Sequence, residues 1–102
     1  IIYQFEKKGI KNIVLSDKNE LAEIFILSAL DTNVKIVCLL GSNSTYLGIP
    51  VYKTMPKRIK IESVVITSMS SVDERYKYIS KYISPSKIVV PKILQHRIEN
   101  IL

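Results

Sequence analysis

The stretch Ile13-Val14-Leu15-Ser16-Asp17-Lys18-Asn19-Glu20-Leu21-Ala22-Glu23 decides the fold, because a strand, a turn and a helix start follow one another in it. Its first three residues form a short apolar run typical of a strand buried on both faces. The next four residues are polar and favour a turn. Asp17, with Glu20 three residues later, matches a helix-capping pattern, so we predict a helix that runs to about Leu30.

This helix is apolar almost all round, which requires a cover on both sides. Leu21, Phe25 and Ala29 share one face, which can meet the sheet. We expect the other side to meet a neighbouring helix, a partner subunit or a further domain. The candidate interface residues on that side are Ile26, Leu27 and Leu30.

The rest of the chain continues the alternation of strands and helices. Residues 34–40, 47–52, 63–67 and 87–90 predict strands, and a polar loop is expected over 41–46. A further helix begins at Ser71, which stands in capping-box spacing with Glu74, and ends at Pro85. A last helix is predicted from Pro91 to Leu102. Such alternation is typical of parallel crossovers. We therefore predict a three-layer α/β domain, with a mostly parallel sheet of about four to five strands and helices on both faces.

Length and cysteine content limit the architecture and the compartment. A chain of 102 residues fits one small domain. It begins Ile1-Ile2-Tyr3, without an initiator methionine, so we expect a piece of a longer protein. Residues 1–10 are interpreted as the end of a linker helix closing on Gly9, and residues 11–102 as the α/β domain. The single cysteine, Cys38, lies within a strand and suits a reducing, cytoplasmic location, and no membrane span or signal peptide is visible.

The net charge of +6 raises the question of nucleic-acid binding. The lysines are spread along the chain, near its start, in its middle and again after residue 76. This spacing favours a solvated basic surface over a dense binding patch.

Two segments resemble known nucleotide-binding-like domains. Residues 13–23 occupy the place of the strand, glycine loop and helix of a Rossmann domain. The segment Leu47-Gly48-Ile49-Pro50-Val51-Tyr52 resembles a gly-x-pro-val element of domains in bacterial polysaccharide-biosynthesis proteins. A similar domain follows a winged helix in some bacterial transcriptional regulators, and Lys8-Gly9-Ile10-Lys11-Asn12 is most similar to that group. The resemblance implies a Rossmann-like fold.

The departures from the dinucleotide fingerprint argue against ordinary NAD binding. That fingerprint needs glycines so that backbone amides can contact the pyrophosphate. Asp17 and Asn19 stand at the first two glycine positions, and only Ala22 keeps the small residue expected at the third. The second strand should end in an acidic residue that binds ribose, but Gly41 follows Leu40. We therefore expect no cofactor.

A different ligand could bind at the carboxyl ends of the strands, where three polar loops should gather. A phosphosugar, a nucleotide or a nucleotide-sugar would find hydroxyls, amides and a helix N-terminus there. Cap and turn chemistry predicts the same residue types without a ligand, and we favour that explanation. The candidate ligand-binding residues are Ser16, Asp17, Asn19, Ser42, Asn43, Ser68, Ser70 and Ser71.

We identify no catalytic residue and no metal site. His96 is the only histidine and has no visible partners for a triad or zinc, so a surface histidine is expected. Three functions remain open. The first is a non-catalytic regulatory or assembly domain, such as the ligand-sensing or dimerisation part of a transcriptional regulator that reaches DNA only through another domain. The second is the nucleotide-sugar-binding domain of a polysaccharide-biosynthesis enzyme, and the third is direct nucleic-acid binding.

Overall fold

The computed structural model describes residues 1–42 and 44–94, which fold around one mixed six-stranded sheet. The strands are β1 (Asn12–Leu15), β2 (Lys35–Leu40), β3 (Ser44–Tyr46), β4 (Ile49–Tyr52), β5 (Ser63–Val65) and β6 (Ile88–Val89). The helices are α1 (Ile2–Lys8), α2 (Glu20–Ala29) and α3 (Val72–Ile79), with a 3₁₀ turn at Pro85–Lys87. None of the helices described is long and apolar enough to span a bilayer.

The sheet grows outward from β1 in both directions. Its strand order is β3-β4-β2-β1-β5-β6, and every neighbouring pair is parallel except β3 and β4. The chain first builds β2 and then β3 and β4 on one side of β1. It then returns to place β5 on the other side of β1, followed by β6. The strand order therefore has a topological switch point between β1 and β5.

Alternate residues of β1, and likewise of β5, belong to two separate apolar clusters, because successive side chains of a strand point to opposite faces. Ile13 and Leu15 of β1 pack with the buried residues of α1 and α2. Val14 lies in the second cluster with Val72 and Ile79 of α3. All three of these β1 residues are inaccessible to solvent, which confirms the strand predicted from the Ile13-Val14-Leu15 run.

The predicted count of four to five strands is wrong, because the expected loop over 41–46 contains β3. This short strand pairs with β4 in an antiparallel hairpin closed by Leu47 and Gly48, whose φ angles are 52° and 79°. Positive φ at both central residues is the geometry of a type I′ hairpin turn. Pro50 faces Thr45 within the hairpin, and pairing of β4 to β2 includes Val51 and Tyr52.

The helix termini agree with the sequence in part. Gly9 closes α1 at φ 72°, as predicted, and α1 buries Ile2 and Phe5 in the domain core. The predicted cap of α2 is wrong, because the capping residue is Asn19 rather than Asp17. Ser71 precedes α3 as predicted but makes no side-chain capping bond. Of the last predicted helix, only residues 92–94 are described as helical, and His96 lies outside the described residues.

Candidate functional site

The loops that follow β1 and β5 lie side by side at the carboxyl edge of the sheet, at the topological switch point. In open parallel sheets this is the position at which ligands bind. Residues 16–19 form the first loop and residues 66–71 the second. Four side chains of these loops, those of Ser16, Asn19, Thr67 and Ser68, form hydrogen bonds between them.

Ser16 is the centre of the contact between the two loops. Its Oγ accepts the backbone N–H of Thr67 at 2.8 Å and that of Ser68 at 3.2 Å. It also lies 2.9 Å from the Ser68 Oγ. Since a hydroxyl oxygen has two lone pairs, these amides occupy both, and the Ser16 proton is directed to Ser68. Both serines and Thr67 are buried, so their hydroxyls serve the fold.

Thr67 forms a reciprocal pair with the backbone of Asp17. The Asp17 N–H donates to the Thr67 Oγ1 at 2.9 Å, and that hydroxyl donates to the Asp17 carbonyl at 2.7 Å. The Asn19 Nδ2 donates to the Thr67 carbonyl at 2.7 Å. The backbone amide of Asp17 is therefore already bonded within the chain.

Asn19 connects the site to α2 and to the hairpin. Its Oδ1 accepts the Ala22 N–H at 2.9 Å, which satisfies one of the free amides of the helix start. Its carbonyl accepts the Tyr46 hydroxyl at 3.2 Å. Nearby, the Asp17 Oδ1 accepts the amide of the adjacent Lys18. Asn19 takes the cap because its side chain reaches the third amide beyond it.

The loop after β2 also reaches this edge. A Cβ added to Gly41 would lie 3.8 Å from the Asp17 Oδ1, so residue 41 is close to the first loop. The Lys18 Nζ donates to the Ser44 Oγ at 3.1 Å, which joins the first loop to β3. The predicted gathering of three polar loops is thus present, because residues 16–19 lie beside Thr67 and Ser68 as well as beside Gly41 and Ser44.

The candidate ligand residues divide into an internal group and an exposed rim. Ser16 and Ser68 are buried, whereas Asp17, Asn19 and Ser71 are half-buried. Ser42 and Ser70 are exposed, and Asn43 lies outside the described residues. All buried side-chain polar atoms within the described ranges have hydrogen-bond partners. In that part of the chain, no buried side-chain polar atom therefore needs a ligand as its hydrogen-bond partner.

Sequence reasoning missed Thr67 as a structural partner, although a signal for it was present. Thr67 follows the apolar run Val64-Val65-Ile66 much as Ser16 follows Ile13-Val14-Leu15. Since β1 and β5 are parallel neighbours, hydroxyl residues at their ends are brought together. Two strands that each end in a hydroxyl residue therefore indicate a contact between their loops.

Residues 1–42 and 44–94 contain no arrangement of side chains that supports metal binding or thiol chemistry. No group of three or more potential ligands lies together there. Cys38 is buried in β2, and burial raises the pKa of its thiol to about 11. A thiol with that pKa is protonated near neutral pH and is a poor nucleophile.

An apolar surface lies on the opposite side of α2 from the sheet. We define the α2 stripe as Ile24, Leu27 and Leu30, which are 59%, 54% and 72% exposed. Ile26 was predicted to belong to this interface, and that prediction is wrong because the residue is only 6% exposed and packs in the core. Tyr3 of α1, 66% exposed, lies beside the stripe and shares a groove with Ile24.

No protein-family model, curated protein or solved structure matches this chain.

Proposed function

We propose that this chain is a non-catalytic regulatory or assembly domain with a degenerate nucleotide-binding fold, of the kind that mediates dimerisation in a cytoplasmic transcriptional regulator. The observation that carries the proposal is the α2 stripe, an exposed apolar surface on a helix that begins at the carboxyl edge of the sheet, where the buried hydroxyls are engaged by the fold. The unpaired, buried thiol of Cys38 suits a reducing compartment.

The strand order supports descent from a Rossmann-like, three-layer arrangement. When the parallel strands β1, β2, β4, β5 and β6 are numbered in chain order, the sheet reads 3-2-1-4-5. This is the order of the first five strands in the doubly wound dinucleotide-binding fold. The antiparallel β3 occupies the connection between β2 and β4, in which a crossover helix would be expected.

The internal bonding of the β1–β5 edge supports the loss of ordinary NAD binding. A pyrophosphate needs free amides at the glycine loop, but the Asp17 amide is bonded to Thr67 and the Ala22 amide to Asn19. The Asp17 carboxylate adds negative charge at the same place. A nucleotide-sugar, which the alternative function requires, would have only Ser42 and Ser70 as fully exposed candidate serines.

The α2 stripe supports association with a second copy of the chain. Exposed leucine and isoleucine side chains grouped on one helix are typical of contact sites. Glu20 and Glu23 lie in the first turn of α2, and Lys7 and Lys8 lie in the last turn of the neighbouring α1. Antiparallel pairing of two copies would bring these carboxylates of one copy toward the lysines of the other. The same surface would thus be complementary to itself, as a two-fold interface requires.

The test is the molar mass in solution of the chain and of two matched variants. We expect a concentration-dependent dimer from sedimentation velocity, and Leu27→Glu/Leu30→Glu should be monomeric with an unchanged far-UV circular dichroism spectrum. Ile93→Glu is the control, because Ile93 is also exposed, at 65%, but lies outside the stripe. A chain that is monomeric at every concentration, or a stripe variant that still dimerises, would contradict the proposal.

A further inference from the structure

A cleft lies on the α3 side of the sheet, between the loop after β4 and the segment after α3. It has a volume of about 420 Å³, and two of its lining residues are the lysines Lys57 and Lys87. Met55 and Ile61, also in its lining, pack in or against the α3-side cluster. We call this feature the basic cleft. It is separate from the α2 stripe, because α2 packs in the cluster on the other face.

The segments that line the basic cleft carry positive charge and no acidic residue. Residues 55–61 contain Lys57, Arg58 and Lys60, residues 82–87 contain Lys87, and neither segment contains Asp or Glu. Lys57 and Lys87 are 30 positions apart in the sequence but line one cleft in the fold. The fold therefore brings together lysines that the sequence keeps apart.

The basic cleft continues into a second groove of about 430 Å³. The two share Pro56, Lys57 and Ile59, and the second adds Lys53 and Arg58. Lys53, Lys57, Arg58 and Lys87 therefore line two grooves that have a wall in common, which form one cationic surface. Phosphates of a polyanion could contact several of these cations.

Tyrosine rings lie along this surface. Tyr82, 52% exposed, lines the basic cleft, and Tyr52, 37% exposed, lines the second groove. The Tyr82 ring is 5.2 Å from that of Tyr78 at an interplanar angle of 57°. The Tyr78 hydroxyl accepts the Met55 N–H at 2.9 Å. This bond ties the loop after β4 to α3.

We propose that the basic cleft binds single-stranded nucleic acid, with phosphates at Lys57 and Lys87 and a base stacked on Tyr82. A cationic groove with exposed aromatic rings is the arrangement by which proteins hold single strands. A duplex keeps its bases stacked inside and would leave the rings unused. Inorganic phosphate or an anionic lipid headgroup would use the lysines but gain nothing from stacking. This binding goes beyond the proposed assembly function.

The experiment is fluorescence anisotropy of labelled oligothymidylate and oligouridylate titrated with the 102-residue chain at several salt concentrations. We expect salt-sensitive binding that Lys57→Glu/Lys87→Glu weakens by roughly tenfold or more, with a log–log salt slope lower by about 1.4, since each lost contact to a single strand contributes about 0.7. Lys11→Glu/Lys35→Glu, with the same change of charge at exposed residues that line neither groove, should bind nearly as well as the unmodified chain.

Stacking is tested separately with Tyr82→Ala and Tyr82→Phe. The alanine variant should lose roughly tenfold in affinity, and the phenylalanine variant should keep it, because every base can stack on either ring. Equal losses in the two lysine pairs would overturn the proposal. Duplex DNA, polyphosphate or phosphatidylserine vesicles that bind as tightly as the single strands would also overturn it, as would no binding at all.

Discussion

Replacement of Ser16 by alanine tests whether the two loops of the β1–β5 edge are held together as described. The change removes a single oxygen from a residue with no solvent exposure. That oxygen accepts the amides of Thr67 and Ser68 and is bonded to the Ser68 hydroxyl. Because Ser16, Thr67 and Ser68 are all buried, the two amides lose their acceptor away from bulk solvent.

The expected loss of unfolding free energy follows from the number and quality of these bonds. A buried donor left without a partner costs about 1–3 kcal/mol. The Thr67 bond at 2.8 Å is short, whereas the Ser68 bond at 3.2 Å is longer and contributes less. We expect Ser16→Ala to lower the free energy of unfolding by about 2–4 kcal/mol. In a domain of this size the melting temperature would fall by about 10–20 °C.

Urea denaturation followed by far-UV circular dichroism measures the effect. Ser42→Ala is the matched control, because Ser42 is exposed, and it should change stability by less than about 0.5 kcal/mol. The double variant Ser16→Ala/Ser68→Ala should have a higher free energy of unfolding than Ser16→Ala alone, because the Ser68 hydroxyl that lost its partner is then absent as well. A Ser16→Ala protein as stable as the Ser42→Ala control would refute the network.

Two further predictions follow from single residues. Asn19→Ala should lower the free energy of unfolding, measured by urea denaturation, by about 1–2 kcal/mol, because it removes the α2 cap and the bond to Thr67. Asp17→Ala should lower it by less. An equal or larger loss for Asp17→Ala would identify that residue as the cap instead. At pH 8, the raised pKa of Cys38 should slow its alkylation in the folded chain about 100-fold relative to urea-unfolded chain, through the lower thiolate fraction alone, and the rate should rise with pH toward 11. A comparable rate in both states, measured by mass spectrometry, would contradict that burial.

The predictable parts of the fold are those set by strong local patterns. The Ile13-Val14-Leu15 run identifies β1, and Gly9 identifies the end of α1, because only a residue free of a Cβ adopts positive φ without strain. β3 was missed because Ser44, Thr45 and Tyr46 are polar and resemble loop residues. The turn beside it was missed because its first central position holds Leu47 rather than asparagine or aspartate.

The parts that could not be predicted depend on contacts distant in sequence. Ser16 and Ser68 are 52 residues apart, and only the pairing of β1 with β5 makes their hydroxyls partners. On α2 the apolar residues surround the helix, so periodicity could not separate buried Ile26 from exposed Leu27. Lys57 and Lys87 are also distant in sequence, so their proximity becomes visible only in three dimensions.

The two margins of the sheet have a consequence for how the molecule can associate. β6, at one margin, pairs over only two residues, and β3, at the other, has three. Such short edge strands offer a strand of another protein few backbone groups with which to form hydrogen bonds. Recruitment of a partner by strand addition is therefore disfavoured, as is runaway fibril growth. Contacts made by the part of the chain that the structure describes are therefore expected to use side chains, which can be altered singly and so give each surface its own selectivity.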